Sequence, residues 1–350
     1  MPDRLLTGVE GRVGRITLNR PAALHTLDTD MCKAMILALQ TWRNDPGIEA
    51  VVLEHKPGTR GFCAGGDVVA VRQQVLDGDL AAARAFFYAE YQLDHLLHTL
   101  GKPVIAFMDG ITMGGGAGLA LPASLRVATE NTQFAMPEGA IGLFPDIGAG
   151  HYLPRLPGQL GKFLALTGAR LDGAECAWAG IATHYLDSED LDEAKEMIAR
   201  EPSAADEILR DLGTKPPNAR LASNADKIDR LFASDTFEGI LTDLSADPSD
   251  WAVKELKAVT ANSPTSAKVA MRLFAQSAGV EDFAAEMAKE YAIATRIIEL
   301  SDFAEGVRTV LVDRDNKPTW QPSRPEAVSE ATLNALFAPL PDAEEWTPAG

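Results

Sequence analysis

Residues 103–146 read PVIAFMDGITMGGGAGLALPASLRVATENTQFAMPEGAIGLFPD. An apolar strand, Val104 to Met108, runs on to Gly114, Gly115 and Gly116 and then into a short helix. Backbone N–H groups exposed at such a turn bind anions and stabilise a developing oxyanion. About twenty residues on, Glu138 follows a proline in FAMPE; Asp146 follows another in IGLFPD. A carboxylate bordered by apolar residues is partly desolvated, which raises its pKa toward a catalytically useful range. Such a group moves protons or attacks a carbonyl. The stretch points to chemistry on a carbonyl.

Upstream, a second glycine loop, KPGTRGFCAGGD at 56–67, follows a buried strand over 50–54. An oxyanion hole needs two donors converging on one point, and two strand ends can supply them. Plainer readings compete. Glycines serve ordinary tight turns at least as often, and MGGGAG also suits close helix–strand packing. Each acid alone reads more readily as a surface acid or an N-cap. Neither loop fits a dinucleotide fingerprint or a phosphate loop.

The flanking pattern alternates. A strand over 12–18 leads to a helix over 27–42, with Asp28 as its N-cap. A helix over 79–100 precedes the strand at 104–108; short strands follow at 125–129 and 132–135, then a helix at 158–166. This is an α/β pattern. From about Asp190 the chain is helix-like, and Phe283, Met287, Tyr291, Ala294 and Ile298 form one apolar stripe. The expected organisation is a core over 1–200, a helical region over 201–322 and a partly ordered acidic tail over 323–350.

Hydrophobic residues make up 46% and charged residues 23% of the 350, a soluble globular balance. No apolar run approaches the roughly 18 residues of a membrane span. The N-terminus carries no signal core or presequence pattern, which predicts a cytoplasmic protein. Cys32, Cys63 and Cys176 lie far apart, without the spacing of a disulfide framework or a zinc site. The net charge of −18 repels nucleic acid and anionic membranes. His95 and His98 lack a third metal ligand, Cys63 lacks an activating histidine, and no GxSxG elbow is present.

The combination FCAGGD at 62–67, KPVIAFMDG at 102–110, MGGGAGLAL at 113–121 and FAMPE…IGLFPD at 134–146 resembles the crotonase (enoyl-CoA hydratase/isomerase) superfamily. IGLFPDIGAG and EGVRTVLVDRDNKPTW at 305–320 are similar to one branch, the 3-hydroxyisobutyryl-CoA hydrolases. With ITLNRP at 16–21 and NSPTSAK at 262–268, the resemblance spans residues 10 to 322. It implies a crotonase-like spiral of ββα repeats with a helical C-terminal region. An acyl-CoA thioester lies between the glycine loops, against Ala64, Gly65, Asp67 and Gly114. The implied oxyanion donors are the amides of Gly66 and Gly115. Glu138 matches the proline-linked catalytic glutamate, and Asp146 the second acid of the hydrolase branch.

One position discriminates. Hydratases of the superfamily resemble GGGCELA, with a second catalytic Glu after the glycines, where this chain has Gly118. The resemblance therefore implies hydrolysis of a short 3-hydroxyacyl-CoA, with Glu138 as nucleophile or general base and Asp146 on the 3-hydroxyl. The alternatives are a one-carboxylate hydratase or isomerase, and a catalytically silent acyl-CoA-binding subunit. His25, where relatives carry Asn, and Gly139, where they carry Thr, depart from the pattern. Lys56 and Arg60 are candidate partners for the CoA phosphates, and equally candidate surface charges. No metal or redox cofactor is implied, coenzyme A being part of the substrate; a homo-oligomer is a possible assembly.

Overall fold

The computed structural model describes residues 4–349. Residues 1–3 and 350, the outer ends of the expected core and tail, lie outside the described residues. The strands are β1 (Leu5–Glu10), β2 (Val13–Leu18), β3 (Ala50–His55), β4 (Val104–Phe107), β5 (Ile111–Met113), β6 (Leu125–Ala128), β7 (Gln133–Ala135), β8 (Leu171–Asp172) and β9 (His184–Tyr185). The larger sheet has the order β1-β2-β3-β4-β6-β9 and the smaller β5-β7-β8. β2 to β9 run parallel in the larger sheet, and β1 folds back antiparallel at its edge.

β4 pairs with β6, Ile105 opposite Leu125, while β5 pairs with β7, Ile111 opposite Gln133. Each of these chain turns thus adds one strand to each sheet, and β5 leads into a helix, which builds a spiral of ββα units. Every residue of β3 and β4 is buried, as expected of parallel strands covered on both faces. The strand period of two divides them between two cores. Val51, Leu53 and Ala106 enter one; Ala50, Val52, Ile105 and Phe107 enter the other. The second core is closed by Leu191, Ala194, Ile198 and Leu209, on the helices Leu191–Arg200 and Ala205–Asp211.

Five helices position the site: α1 (Thr29–Arg43), α2 (Val68–Leu76), α3 (Leu80–His98), α4 (Gly115–Ala120) and α5 (Ala149–Tyr152). Asp28 caps α1 by accepting from Met31 N at 2.9 Å, and Asp79 caps α3 by accepting from Ala82 N at 3.1 Å. α3 buries apolar residues on nearly every side, from Ala83 to Leu97. The stripe Phe283, Met287, Tyr291, Ala294 and Ile298 is buried, and its helix, Phe283–Ile297, packs on α3.

Several elements had no periodic signal, β1, β5 and α2 among them. β1 is exposed along nearly its whole length, so no alternation marks it, and its pairing with β2 alone makes it a strand. β5 is three residues long, and α2 fully buries only Val71. Near the C-terminus Glu330–Leu336 is helical, Trp346 is buried edge-on against His95, and Ala349 N donates to Gln92 Oε1 of α3 at 2.5 Å.

Candidate active site

The two glycine loops lie side by side. Cys63 bridges Thr112: Cys63 N donates to Ile111 O and Met113 N to Cys63 O, both at 2.9 Å. On its other side the first loop is stitched to the segment before α1. Leu27 N donates to Gly65 O and Asp67 N to Leu27 O, each at 2.8 Å. Gly65, at a φ of 111°, makes the turn that only glycine adopts readily.

Gly66 and Gly115 each face a close neighbour. A Cβ on Gly66 would lie 2.6 Å from Phe86 Cζ. A Cβ on Gly115 would lie 3.1 Å from Gly66 N and would collide with Glu90 Oε1. The two amides are therefore neighbours. Gly115 opens α4, so its N–H has no partner inside the helix. Among the described residues neither amide donates to another loop or cap. A paired set of free main-chain donors is what an oxyanion requires.

Both acids come to this place. Glu138 begins a 3-10 turn, Glu138–Ile141, and its Oε1 lies 3.2 Å from where a Cβ on Gly114 would sit. It is 4% exposed, and Oε2 has no hydrogen-bond partner among the described residues. Burial, then the charge of Asp146, push its pKa well above the usual carboxylate range. Asp146 is equally buried and accepts a hydrogen bond from Tyr91 Oη at 2.7 Å. Burial pushes its pKa up to about 7, against the opposing effect of that bond.

Glu90 and Asp94 escaped the sequence reading. They stand one helical turn apart on α3 and are both buried. Glu90 Oε1 faces Gly66 and Gly115. Asp94 Oδ2 lies 3.0 Å from the Cβ position of Gly118, and neither of its oxygens has a hydrogen-bond partner among the described residues. Burial and neighbouring acids push both pKa values well up. Gly118 is filled from outside: Ile147 Cδ1 lies 2.6 Å from its Cβ position. A glutamate side chain there would displace Ile147.

The remaining predicted residues divide. Ala64 and Gly114 belong to the paired loops, and Ala64 N donates to Leu24 O at 3.0 Å. Asp67 pairs with Arg20 at 2.7 Å and caps α2 through Ala70 N at 3.2 Å, so its carboxylate braces the loop. Lys56 is exposed in a groove along β1, beside Arg15 and Lys195, and Arg60 is exposed. Among the described residues neither side chain pairs with the glycine loops. His25 is fully buried at a φ of 59°; it accepts from Arg20 N at Nδ1, 2.9 Å, and joins Thr59 Oγ1 through Nε2, 2.8 Å. Burial, then His55, lower its pKa to about 4, which leaves a neutral brace. Gly139 makes room for Asn262, whose Cβ is 3.3 Å from its Cβ position, and its carbonyl accepts from Ser263 N at 3.0 Å. The helical region thus grips the residue after Glu138. His95 and His98 stack on Phe283.

Comparison with known proteins decides the family. A model of the family described as enoyl-CoA hydratase/isomerase matches residues 13–337. The chain belongs to the enoyl-CoA hydratase/isomerase family. Its α/β architecture is the crotonase-like spiral of that family, with a helical C-terminal region. Among curated members of this family, the mitochondrial 3-hydroxyisobutyryl-CoA hydrolase of Xenopus laevis is 41% identical over 339 residues, covering 94% of this chain and 87% of that one. Its Homo sapiens counterpart is 38% identical over 347 residues, covering 97% and 89%. Among solved structures, a carnitinyl-CoA dehydratase from Mycobacterium thermoresistibile superposes with a TM-score of 0.93 at 36% identity, over 99% of both chains. An enoyl-CoA hydratase from Rhodobacter sphaeroides 2.4.1 superposes at 0.90 with 35% identity, over 99% of this chain and 100% of that one. The curated relatives are named as mitochondrial, in contrast to the cytoplasmic reading of this N-terminus. Among the described residues no helix is long and apolar enough to cross a membrane.

Proposed function

We propose that this enzyme hydrolyses a short 3-hydroxyacyl-CoA thioester, 3-hydroxyisobutyryl-CoA, to 3-hydroxyisobutyrate and coenzyme A. The observation that carries the reading is the placement of Glu138 at Gly114, beside the adjoining amides of Gly66 and Gly115. The two N–H groups form an oxyanion hole for the thioester oxygen, each contributing about 2.7–4 kcal/mol in the transition state. Glu138, ionised, either attacks the carbonyl carbon or takes a proton from an attacking water. In the first route a carboxylate–carbonyl bond forms, the carbon–sulfur bond breaks, and the CoA thiolate leaves and collects a proton. Water then cleaves the mixed anhydride. In the second route water supplies the oxygen directly. Label found in the Glu138 carboxylate after a single turnover in heavy-oxygen water establishes the anhydride route, because it enters only when water attacks the Glu138 carbonyl of an anhydride.

Asp146 holds the substrate 3-hydroxyl. Tyr91 engages Oδ2, which leaves Oδ1 for that hydroxyl. With its pKa raised to about 7, Asp146 gives or takes a proton at neutral pH. A buried polar site made for a hydroxyl rejects acyl groups that lack one. Burial raises the pKa values of Glu90 and Asp94, so these two neighbours add little negative charge beside the thioester when protonated, while the ionised form of Glu138 is the one that reacts.

The names of the superposing solved structures favour a second reading, hydration or dehydration of an enoyl-CoA. The geometry at Gly118 opposes it, since Ile147 fills the place of the second hydratase carboxylate. A panel of acyl-CoA thioesters separates the two. Free thiol released from 3-hydroxyisobutyryl-CoA supports hydrolysis; loss of crotonyl-CoA enoyl absorbance without free thiol supports hydration.

A further inference from the structure

The corner after Asp146 has a backbone that its sequence does not favour. Ile147 has a φ of 54°, a left-handed conformation that a β-branched residue rarely adopts. Its side chain is buried. Gly148 follows at a φ of 84° and leads into α5. Strain of this kind persists only where the surroundings over-determine it.

Two features do so here. From the Phe283–Ile297 helix, Glu290 accepts from Gly148 N through Oε2 at 2.7 Å and from Gly150 N through Oε1 at 2.8 Å. Glu290 is fully buried and both its oxygens accept from main-chain N–H groups; burial, then Glu286, push its pKa well up against these two bonds, and the two-point grip on the corner stands on the geometry alone. Its neighbour Lys289 is committed elsewhere, to Glu286 at 2.8 Å. On the opposite side, the missing side chain of Gly118 receives Ile147 Cδ1. Ile147 is thus clamped through the amides that follow it and seated in a slot made for its side chain. Asp146 is the residue immediately before it, and the direction of its carboxylate, onto Tyr91, depends on this corner.

We propose that Glu290 is a positioning residue for thioester hydrolysis. It fixes the Gly148 and Gly150 amides, holds Ile147 left-handed, and so keeps the Asp146 carboxylate on Tyr91 beside the substrate. This rests on the role given above to Asp146. It assigns the helical C-terminal region a part in the chemistry, through two main-chain bonds made 142 and 140 residues away in sequence.

The test is thiol release from 3-hydroxyisobutyryl-CoA by the full chain carrying Glu290→Gln, Gly118→Ala or Asp146→Asn, followed across pH. The groups that interact with Asp146 are Glu90, Tyr91 and Asp94 from α3, Glu138 from its 3-10 turn, and Glu290 from the Phe283–Ile297 helix; Glu290 in turn faces Glu286. Glutamine can accept only one of the two amide bonds. In Glu290→Gln, kcat falls about 10–100-fold, the loss that follows from a small misplacement of a reacting group. KM rises as well, because Asp146 also holds the substrate 3-hydroxyl in the ground state. The pH limb that belongs to Asp146 is displaced. Gly118→Ala places a methyl against Ile147 within a helix that intrinsically prefers alanine, and gives the same kcat loss and displaced limb. If Glu290→Gln does not fold, Glu290→Asp, which keeps the carboxylate but shortens its reach to the two amides, is expected to show the same loss and displaced limb, and parent-like values in it overturn the role. Folded variants with unaltered kcat and pH profile, alongside an inactive Asp146→Asn, overturn the positioning role and leave the function standing. An Asp146→Asn enzyme that turns over normally overturns the role of Asp146 and the positioning proposal with it.

Discussion

The Tyr91 hydroxyl donates to Asp146 Oδ2 across 2.7 Å, between two buried side chains. The bond favours the ionised carboxylate, while burial opposes it and wins, raising the pKa to about 7. Tyr91→Phe removes the donor, so the pKa of Asp146 rises further and less of it is ionised at neutral pH. A hydrogen bond to a charged group contributes about 1.5–3 kcal/mol. We expect thiol release at neutral pH to fall roughly 10–100-fold, with the ascending limb moved to higher pH. Steady-state rates across pH check this.

Gly115→Ala tests the amide pair. The added methyl would sit 3.1 Å from Gly66 N and against Glu90, between the two donors. Loss of one oxyanion donor costs about 10²–10³ in kcat. We expect a loss of that size in a protein whose circular dichroism remains that of the parent.

Gly118→Glu asks whether a second carboxylate restores hydratase chemistry. Ile147 Cδ1 and Asp94 Oδ2 lie 2.6 and 3.0 Å from the new Cβ, so the side chain has no place to enter. We expect a destabilised protein, by about 1–3 kcal/mol from overpacking, and no gain in crotonyl-CoA hydration. Thermal unfolding and the enoyl absorbance measure the two parts.

The paired loops were candidates by local rules; each acid alone read more readily as a surface acid or an N-cap, and the resemblance to the crotonase superfamily singled both out. Glycines after a strand announce free amides, and FAMPE and IGLFPD set an acid at the edge of apolar sequence. Glu90 and Asp94 were not legible, because an acid on a helix ordinarily faces water. Their signal was available in the company they keep. FFYAEYQLDHLL is apolar on nearly every side of α3, and a helix buried all round must bury its acids too. Glu290 had no local mark at all, since its partners Gly148 and Gly150 reach it only through the tertiary fold. Gly118 was legible as a missing carboxylate but not as a slot, because Ile147 enters it from another turn of the spiral.

Asp94 carries a stability cost that depends on pH. Its folded pKa lies well above its unfolded value, and both oxygens lack hydrogen-bond partners among the described residues. Such a carboxyl contributes stability below the unfolded pKa and loses it as pH rises through the folded pKa. Asp94→Asn removes the buried ionisation. We expect its melting temperature to exceed the parent's at alkaline pH, by about 2–4 °C for each kcal/mol regained, and to match it in acid. Thermal melts at the two extremes check the sign.

Thioester cleavage turns on Glu138, and the measurement is free thiol released from 3-hydroxyisobutyryl-CoA by Glu138→Gln. Whether Glu138 attacks or activates water, its carboxylate supplies about 10²–10⁴-fold of the rate. We expect a loss in that range with KM largely retained. Thiol release at the parent rate would contradict it.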